Sequence, residues 1–576
     1  MADADHPRFS QPLQILQASK SFRDVQASDL EGFTPEVGRI RTGEALFLKG
    51  DPADTAYVIE QGILGLYDSV AVHDVPPFRK VVPGDLVGEY GLLCDQPRSA
   101  SALALTDCTF LRLDRALLHQ LLRTHPEVQT TLLREIAEAA SRGRPSGHAA
   151  IRSVAVLDLQ PGGERTGAAL AGLRRQLERM SGSAATGGRT ITLLEPTGEE
   201  ECHRQLIDSA TDDGIGVFFL QDPRLLSARN RQLIDRLVTV REGNATAPEA
   251  GPGEPIRPDL AVRLWPKDTV RPQPAGRPEG SSAQPLHIRP DRPEEMARLA
   301  RTVLRMHNIL VLGGGGARGF AHIGVIAAME ELGRTEIDMV LGVSVGSLIA
   351  SLYAFNLSAQ EIMAHLERVI IHSRPYTIKL PTDSLFTLNN SRRALREFFG
   401  PSGIEDSWLP FHVYSTNLSR NSLYRWSRGS IPDAVIASMS VPGIFSPFCD
   451  ERGDLHVDGG ILCNLPIREA RQLTNGQVIA ISLDALPGEE ETATPADAES
   501  RSREPRPSLT RTIISSMMCA SHADSRAQEH MADLLLRPEI SAFSFLEWKY
   551  YREIYAVGYE HALQRLGGGL ETLKAA

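Results

Sequence analysis

Short apolar runs broken by glycine (Tyr57 to Ile59, Ile63 to Leu66, Lys80 to Val82, Thr109 to Leu113) fill the first 140 residues, and a helical pattern, Leu117 to Ile136, follows them. Runs this short with turn residues between them predict a small antiparallel β unit closed by a helix. Strand-like runs at Ser153 to Leu159, Thr190 to Leu194 and Gly216 to Leu220 then alternate with helical stretches at Ala168 to Met180 and Glu200 to Ser209, which predicts a small α/β layer. A larger alternation begins at Asn308: strand to Leu312, helix from about Ala317 to Leu332, strand to Leu341, helix to about Asn356.

Two breaks punctuate this pattern. Eleven of the 37 prolines fall between Glu242 and Pro293, mixed with Gly251, Gly253, Gly276 and Gly280, which excludes a continuous helix and reads as linker. Pro487 to Pro507 is polar, runs through Glu489, Glu490 and Glu491, and predicts a mobile loop. The expected organisation is multidomain: an N-terminal β-roll with helices at 15–140, a middle small α/β layer at 150–241, a linker at 242–293, a larger α/β domain at 294–486, the polar loop at 487–507 and a C-terminal helical extension at 508–576. The length of 576 residues agrees with about three or four domains.

Composition narrows the class. A hydrophobic content of 42% supports several packed cores, and 72 acids against 61 bases give a net charge of -11, which argues against a strongly basic nucleic-acid binder. Six cysteines without a C-x-x-C pair argue against a disulfide framework or a zinc site and point to the reducing cytoplasm. Met1 to Ser10 carries Asp3 and Asp5 and no apolar core, so it reads as neither a secretory signal nor a transit peptide. The uncharged stretch Met339 to Phe355 approaches the ~18 to 20 residues of a membrane span, but small and polar residues interrupt it.

Candidate chemistry concentrates in the larger α/β region. Gly342-Val343-Ser344-Val345-Gly346 fits G-x-S-x-G between a strand and a helix, the context of a sharp elbow that exposes a nucleophilic serine. Upstream, Gly313-Gly314-Gly315-Gly316-Ala317-Arg318-Gly319 also joins strand to helix. Its bare N–H groups at Gly314, Gly315 and Gly316 can cradle an oxyanion, with Arg318 adding positive charge. The same loop spells G-x-G-x-x-G, but a dinucleotide site wants an acid after the second strand, where Gly342 and Ser344 stand instead. Gly162-x4-Gly167 is followed by Ala168-Ala169, so it is no phosphate loop. Asp458-Gly459-Gly460 offers a base for the serine, and equally an ordinary turn aspartate.

Together with Ala437-Ser438-Met439-Ser440-Val441-Pro442-Gly443-Ile444-Phe445 and Asn464-Leu465-Pro466, these segments resemble the patatin-like phospholipases. The resemblance implies a three-layer α/β fold and a Ser344–Asp458 dyad working without histidine, metal or redox cofactor. His287-Ile288-Arg289 and the helix Met296 to Arg305 look more specifically like bacterial relatives of neuropathy target esterase, which implies phospholipid or lysophospholipid substrates. An aspartate with an ordinary pKa of about 3.9 is a weak base, so Asp458 is expected within hydrogen-bond reach of Ser344 and sheltered from water. His322 and His456, two residues before Asp458, are the alternative bases and are read as structural.

Near the N-terminus, Gly84-Asp85-Leu86-Val87-Gly88-Glu89-Tyr90-Gly91-Leu92-Leu93 and Pro97-Arg98-Ser99-Ala100-Ser101 resemble the phosphate cassette of cyclic nucleotide-binding domains. Arg98 would meet the phosphate and Glu89 the 2′-hydroxyl, with Gly88 and Ser99 as further donors. Tyr90 and Gly91 depart from the family, which leaves open a degenerate cassette in which Arg98 pairs internally with Glu89. Cyclic AMP or cyclic GMP is thus a regulator the resemblance suggests, Ser99 leaning to GMP. A DNA-binding regulator would need a helix-turn-helix soon after Glu138, where Arg142-Gly143-Arg144-Pro145-Ser146-Gly147 stands instead. A catalytically silent binding protein remains the alternative function. Phe543, Phe545, Trp548, Tyr550, Tyr551, Tyr555 and Tyr559 form an aromatic stripe read first as core packing and second as peripheral membrane contact at the inner face. Tyr376 to Leu388 is the other candidate lipid entrance.

Overall fold

The structure is a computed structural model and describes residues 10–19, 22–30, 36–68, 77–126, 128–130, 151–243, 258–272, 284–334, 336–372, 377–378, 386–484, 509–545 and 547–567. The chain divides into two compact units, one of residues 1–157 with 189–237 and the other of 158–188 with 238–576. The middle region 150–241, expected as one small domain, is therefore shared between them.

In the first unit, eight strands form two four-stranded antiparallel sheets, the β-roll that the short apolar runs predict. Alternation along Thr55–Gln61 sends Ala56 and Val58 into one core and Ile59 into the other, so one strand serves both layers. The helix Arg115–Thr124 closes the roll through Leu117, Leu118, Leu121 and Leu122, and the Asp114 side chain caps it by accepting from the Leu117 N–H. The expected continuation to Ile136 falls mostly outside the described residues. Ser153–Asp158, Ile191–Leu194 and Ile215–Leu220 pair in parallel, and Lys80 of the roll makes a 2.7 Å ion pair with the Asp235 carboxylate within this unit.

The second unit corrects the linker expectation for 242–293. Leu260–Leu264 and Pro285–Ile288 are strands, paired in parallel with each other, and the former also with Arg236–Glu242. The proline density obscured them. Yet Pro285 opens its strand, where its missing N–H costs no ladder bond.

The larger sheet has eight strands, and its central strand Ile309–Leu312 shows how it is buried. Leu310 and Leu312 face one apolar cluster while Ile309 and Val311 face another, so both faces are covered, giving the three-layer α/β arrangement. The 508–576 extension is not purely helical: Leu534–Leu536 adds an edge strand beside Val478–Ile481. Its last helix, Tyr551–Gly567, packs against Phe320–Glu331, with Trp548 and Tyr551 rings 6.3 and 5.4 Å from Phe320. The aromatic stripe is thus largely packing surface. The polar loop 487–507 lies outside the described residues, as does most of Tyr376 to Leu388.

Candidate active site

The strand Phe411–Asn417 organises the site. One of its edges carries Ser422–Trp426 over Val413 to Asn417. The opposite edge is shared end to end: Met339–Val343 runs parallel along it as far as Tyr414, and Leu455–Asp458 comes from the other direction and pairs from Ser415 onward. Val343 lies opposite Tyr414 and Asp458 opposite Ser415, so the two incoming strands meet head-on where Ser344 leaves one and Asp458 ends the other. Sheet register, across more than a hundred residues of sequence, is what brings the hydroxyl to the carboxylate.

Ser344 occupies the turn between its strand and the helix Val345–Ala354, with φ 52° and ψ -126°, a conformation unfavourable to any residue with a side chain. The flanking glycines are required by close approach. A Cβ on Gly342 would lie 2.5 Å from the Gly346 carbonyl oxygen, and one on Gly346 would lie 2.4 Å from that of Leu312. The elbow is held at both ends of Ser344: its N–H donates to Ser438 Oγ at 2.8 Å, and its carbonyl accepts from Ser347 Oγ at 2.6 Å. Ser438 Oγ in turn donates to the Tyr414 carbonyl at 2.6 Å. Ser438 has no role in the sequence reading, although it lies inside Ala437 to Phe445; nothing local in that segment says that it reaches Ser344.

Ser344 Oγ–H donates to Asp458 Oδ2 at 2.7 Å, and the other carboxylate oxygen accepts the Gly460 N–H at 2.8 Å. Asp458 is 2% exposed, and burial pushes its pKa up from 3.8 to about 6 against the opposing pull of those two hydrogen bonds. A carboxylate so placed can take a proton near neutrality and is still ionised above its raised pKa.

The glycine loop lies beside the serine. A Cβ on Gly314 would stand 3.1 Å from Ser344 Cβ and 2.5 Å from Asn464 Oδ1, so no larger residue fits there. The Gly314 N–H points to the Asn464 carbonyl at 3.3 Å, whereas the Gly315 and Gly316 N–H groups donate to nothing among the described residues. Gly316 has φ +57°, a left-handed conformation that favours glycine. Arg318 is tethered: its Nε donates to the Phe543 carbonyl at 2.7 Å.

The two alternative bases are engaged elsewhere. His322 Nε2 meets the Gly313 carbonyl at 2.8 Å, and burial lowers its pKa to about 4, so a neutral ring braces the glycine loop. His456 places its ring nitrogens at 3.0 Å from Ser415 Oγ and 3.4 Å from Asp450 Oδ2, and burial lowers its pKa too.

In the β-roll, Gly88 adopts φ 87° and precedes the short helix Glu89–Leu93, which Glu89 opens. Arg98 is buried, donating to the Gly88 carbonyl at 2.8 Å and the Thr55 carbonyl at 2.7 Å, with its guanidinium 4.3 Å from the centre of the Phe47 ring. Its Nε finds no partner among the described residues. Ser99 is exposed. Arg98 is therefore satisfied in part by backbone carbonyls.

Among the described residues no cluster of histidine, cysteine and acids could hold a metal ion, and no helix is long and apolar enough to cross a membrane.

Residues 310–471 match the patatin-like phospholipase family, and residues 37–125 match the cyclic nucleotide-binding domain. Lysophospholipase NTE1 of Pyricularia oryzae is 26% identical over 93% of this chain and 42% of its own length. Lysophospholipase NTE1 of Coccidioides immitis is 34% identical over 46% of this chain and 18% of its own. The human patatin-like phospholipase domain-containing protein 6 is 31% identical over 49% of this chain and 22% of its own. The chain thus spans less than half the length of these relatives. It joins an N-terminal cyclic nucleotide-binding domain to a C-terminal domain of the patatin-like phospholipase family.

Proposed function

We propose that the chain hydrolyses acyl esters of phospholipids or lysophospholipids through an acyl-enzyme on Ser344. The observation that carries this reading is the 2.7 Å hydrogen bond from Ser344 Oγ to the buried Asp458, beside the open amides of the glycine loop. Ser344 attacks the ester carbonyl while Asp458 takes its proton and returns it to the leaving alcohol. Water then attacks the acyl-serine with Asp458 again as base. The Gly315 and Gly316 N–H groups hold the oxyanion, while Gly314, whose N–H is turned to the Asn464 carbonyl, lets the loop approach Ser344 closely; loss of one oxyanion donor typically costs about 3 kcal/mol. Arg318, tethered to Phe543, adds fixed charge rather than a mobile contact. The relatives that carry the name lysophospholipase support this substrate class.

Regulation by cyclic AMP or cyclic GMP through Gly88, Glu89, Arg98 and Ser99 belongs to the same proposal. A nucleotide would change the lipase rate only if it binds the active and inactive arrangements differently. Peripheral docking at the cytoplasmic face of a membrane would bring the substrate. The test is fatty-acid release from a panel of phospholipids and lysophospholipids, with and without each nucleotide, by wild type and Ser344→Ala. Release confined to wild type is expected, and equal release by both would overturn the reading.

A further inference from the structure

We infer that Asn464 is the second acceptor for the water that hydrolyses the acyl-enzyme, an inference resting on the Ser344–Asp458 reading above. Asn464 is 2% exposed. Its Nδ2 faces two acceptors, Asp484 Oδ1 at 2.8 Å and the Gly314 carbonyl at 3.4 Å. Turning the amide over would set its carbonyl oxygen against the Asp484 carboxylate, so Asp484 fixes which end points where. Oδ1 is left facing the other way, buried, accepting from nothing among the described residues.

What it faces is the reacting centre. The position of a Cβ on Gly314 is 2.5 Å from this oxygen and 3.1 Å from Ser344 Cβ. The position of a Cβ on Gly460 is 2.9 Å from it and 3.0 Å from Asp458 Oδ1. Asn464 Oδ1 thus packs against the backbones of Gly314 and Gly460, the first beside the nucleophile and the second beside the base. A buried acceptor held there by the Asp484 carboxylate, which also faces His522 Nε2 at 3.4 Å, calls for a donor that arrives with the reaction.

Water is that donor. One O–H donates to Asp458 and the other to Asn464 Oδ1, which turns the oxygen lone pair toward the acyl carbon. The new C–O bond forms as the first proton passes to Asp458 and the carbonyl electron pair moves onto the oxyanion. Collapse breaks the Ser344 Oγ–C bond, Oγ recovers the proton from Asp458, and the fatty acid leaves with the second hydrogen. Asn464 neither gains nor loses a proton; Asp484 acts through it as a positioning residue.

Methanol separates this role from a structural one, because its single O–H serves Asp458 and leaves nothing to donate to Asn464. Full-length wild type, Asn464→Ala and Asp484→Asn are compared on a p-nitrophenyl ester in aqueous methanol, reading the ratio of methyl ester to free acid. Asn464→Ala is expected to slow hydrolysis by about ten- to a hundredfold and to raise that ratio by about tenfold, the scale of one hydrogen bond at a reacting centre. Labelling of Ser344 by a fluorophosphonate, which needs no water, should change by less than about threefold. Asp484→Asn, which keeps the side-chain shape, should shift the ratio the same way and carries the test if Asn464→Ala does not fold. An unchanged ratio in a working dyad overturns the role of Asn464 alone, whether or not all rates fall together. A wild type without turnover overturns the dyad and the water with it.

Discussion

The Ser438 hydroxyl accepts the Ser344 N–H at 2.8 Å and donates to the Tyr414 carbonyl at 2.6 Å, so the strained nucleophile is tied by one side chain to the strand that also aligns Asp458. Ser438→Ala removes that tie without adding bulk. The expected result is a fall of about tenfold or more in kcat with a smaller change in KM, as for an interaction that holds the reacting geometry. Ser438→Thr, which keeps the hydroxyl, should recover part of the loss. Steady-state kinetics on one soluble ester checks both.

Asp458 sets the acid limb. Its pKa is raised to about 6 by burial, and only the ionised form can accept the Ser344 proton, so kcat/KM should rise with pH and level off above an apparent pKa near 6. A limb lying below pH 5 would contradict this, because it would place the base in water.

The same shift has a consequence for stability. A carboxyl whose folded pKa, about 6, exceeds its ordinary 3.8 favours folding when protonated; that contribution is complete at low pH and is lost as pH rises through about 6. Asp458→Asn should therefore be inactive yet more stable than wild type above pH 7, by roughly 2 to 3 kcal/mol for a shift of about two units. The difference should vanish near pH 4. Urea midpoints at the two pH values measure it.

Much of this was readable in the chain, for physical reasons that differ from place to place. Gly342 and Gly346 announce the elbow because close approach admits nothing larger, and the four glycines from Gly313 announce bare amides for the same reason. Leu260–Leu264 and Pro285–Ile288 were hidden because proline density speaks of breaks, whereas a strand tolerates proline at its start. Ser438, Asn464 and Asp484 were silent because their work is long-range: Ser438 lies 94 positions from Ser344, and Asn464 lies 150 from Gly314. Serine and asparagine are common residue types, and only the pairing of strands distant in sequence, Phe411–Asn417 beneath Ser438 and Ile309–Leu312 beside Val478–Ile481 ahead of Gly314 and Asp484, gives these their partners.

The β-roll yields a separate expectation. Arg98 holds the Gly88 and Thr55 carbonyls and stacks on Phe47, so a nucleotide phosphate must share or displace these contacts. Isothermal titration of the full chain with cyclic AMP and cyclic GMP should show binding that Arg98→Leu weakens by about a hundredfold or more, as for loss of a charge-assisted contact. Silence of wild type with both nucleotides would leave the cassette a scaffold.

Catalysis at this site depends on a covalent bond at one oxygen. Incubating wild type, Ser344→Ala and Asp458→Asn with a fluorophosphonate and locating the adduct by peptide mass spectrometry tests that directly. The adduct should fall on Ser344 in wild type, be absent in Ser344→Ala and form at least about a hundredfold more slowly in Asp458→Asn. Labelling of Ser344 at the wild-type rate in Asp458→Asn, or an adduct on another residue in wild type, would contradict it.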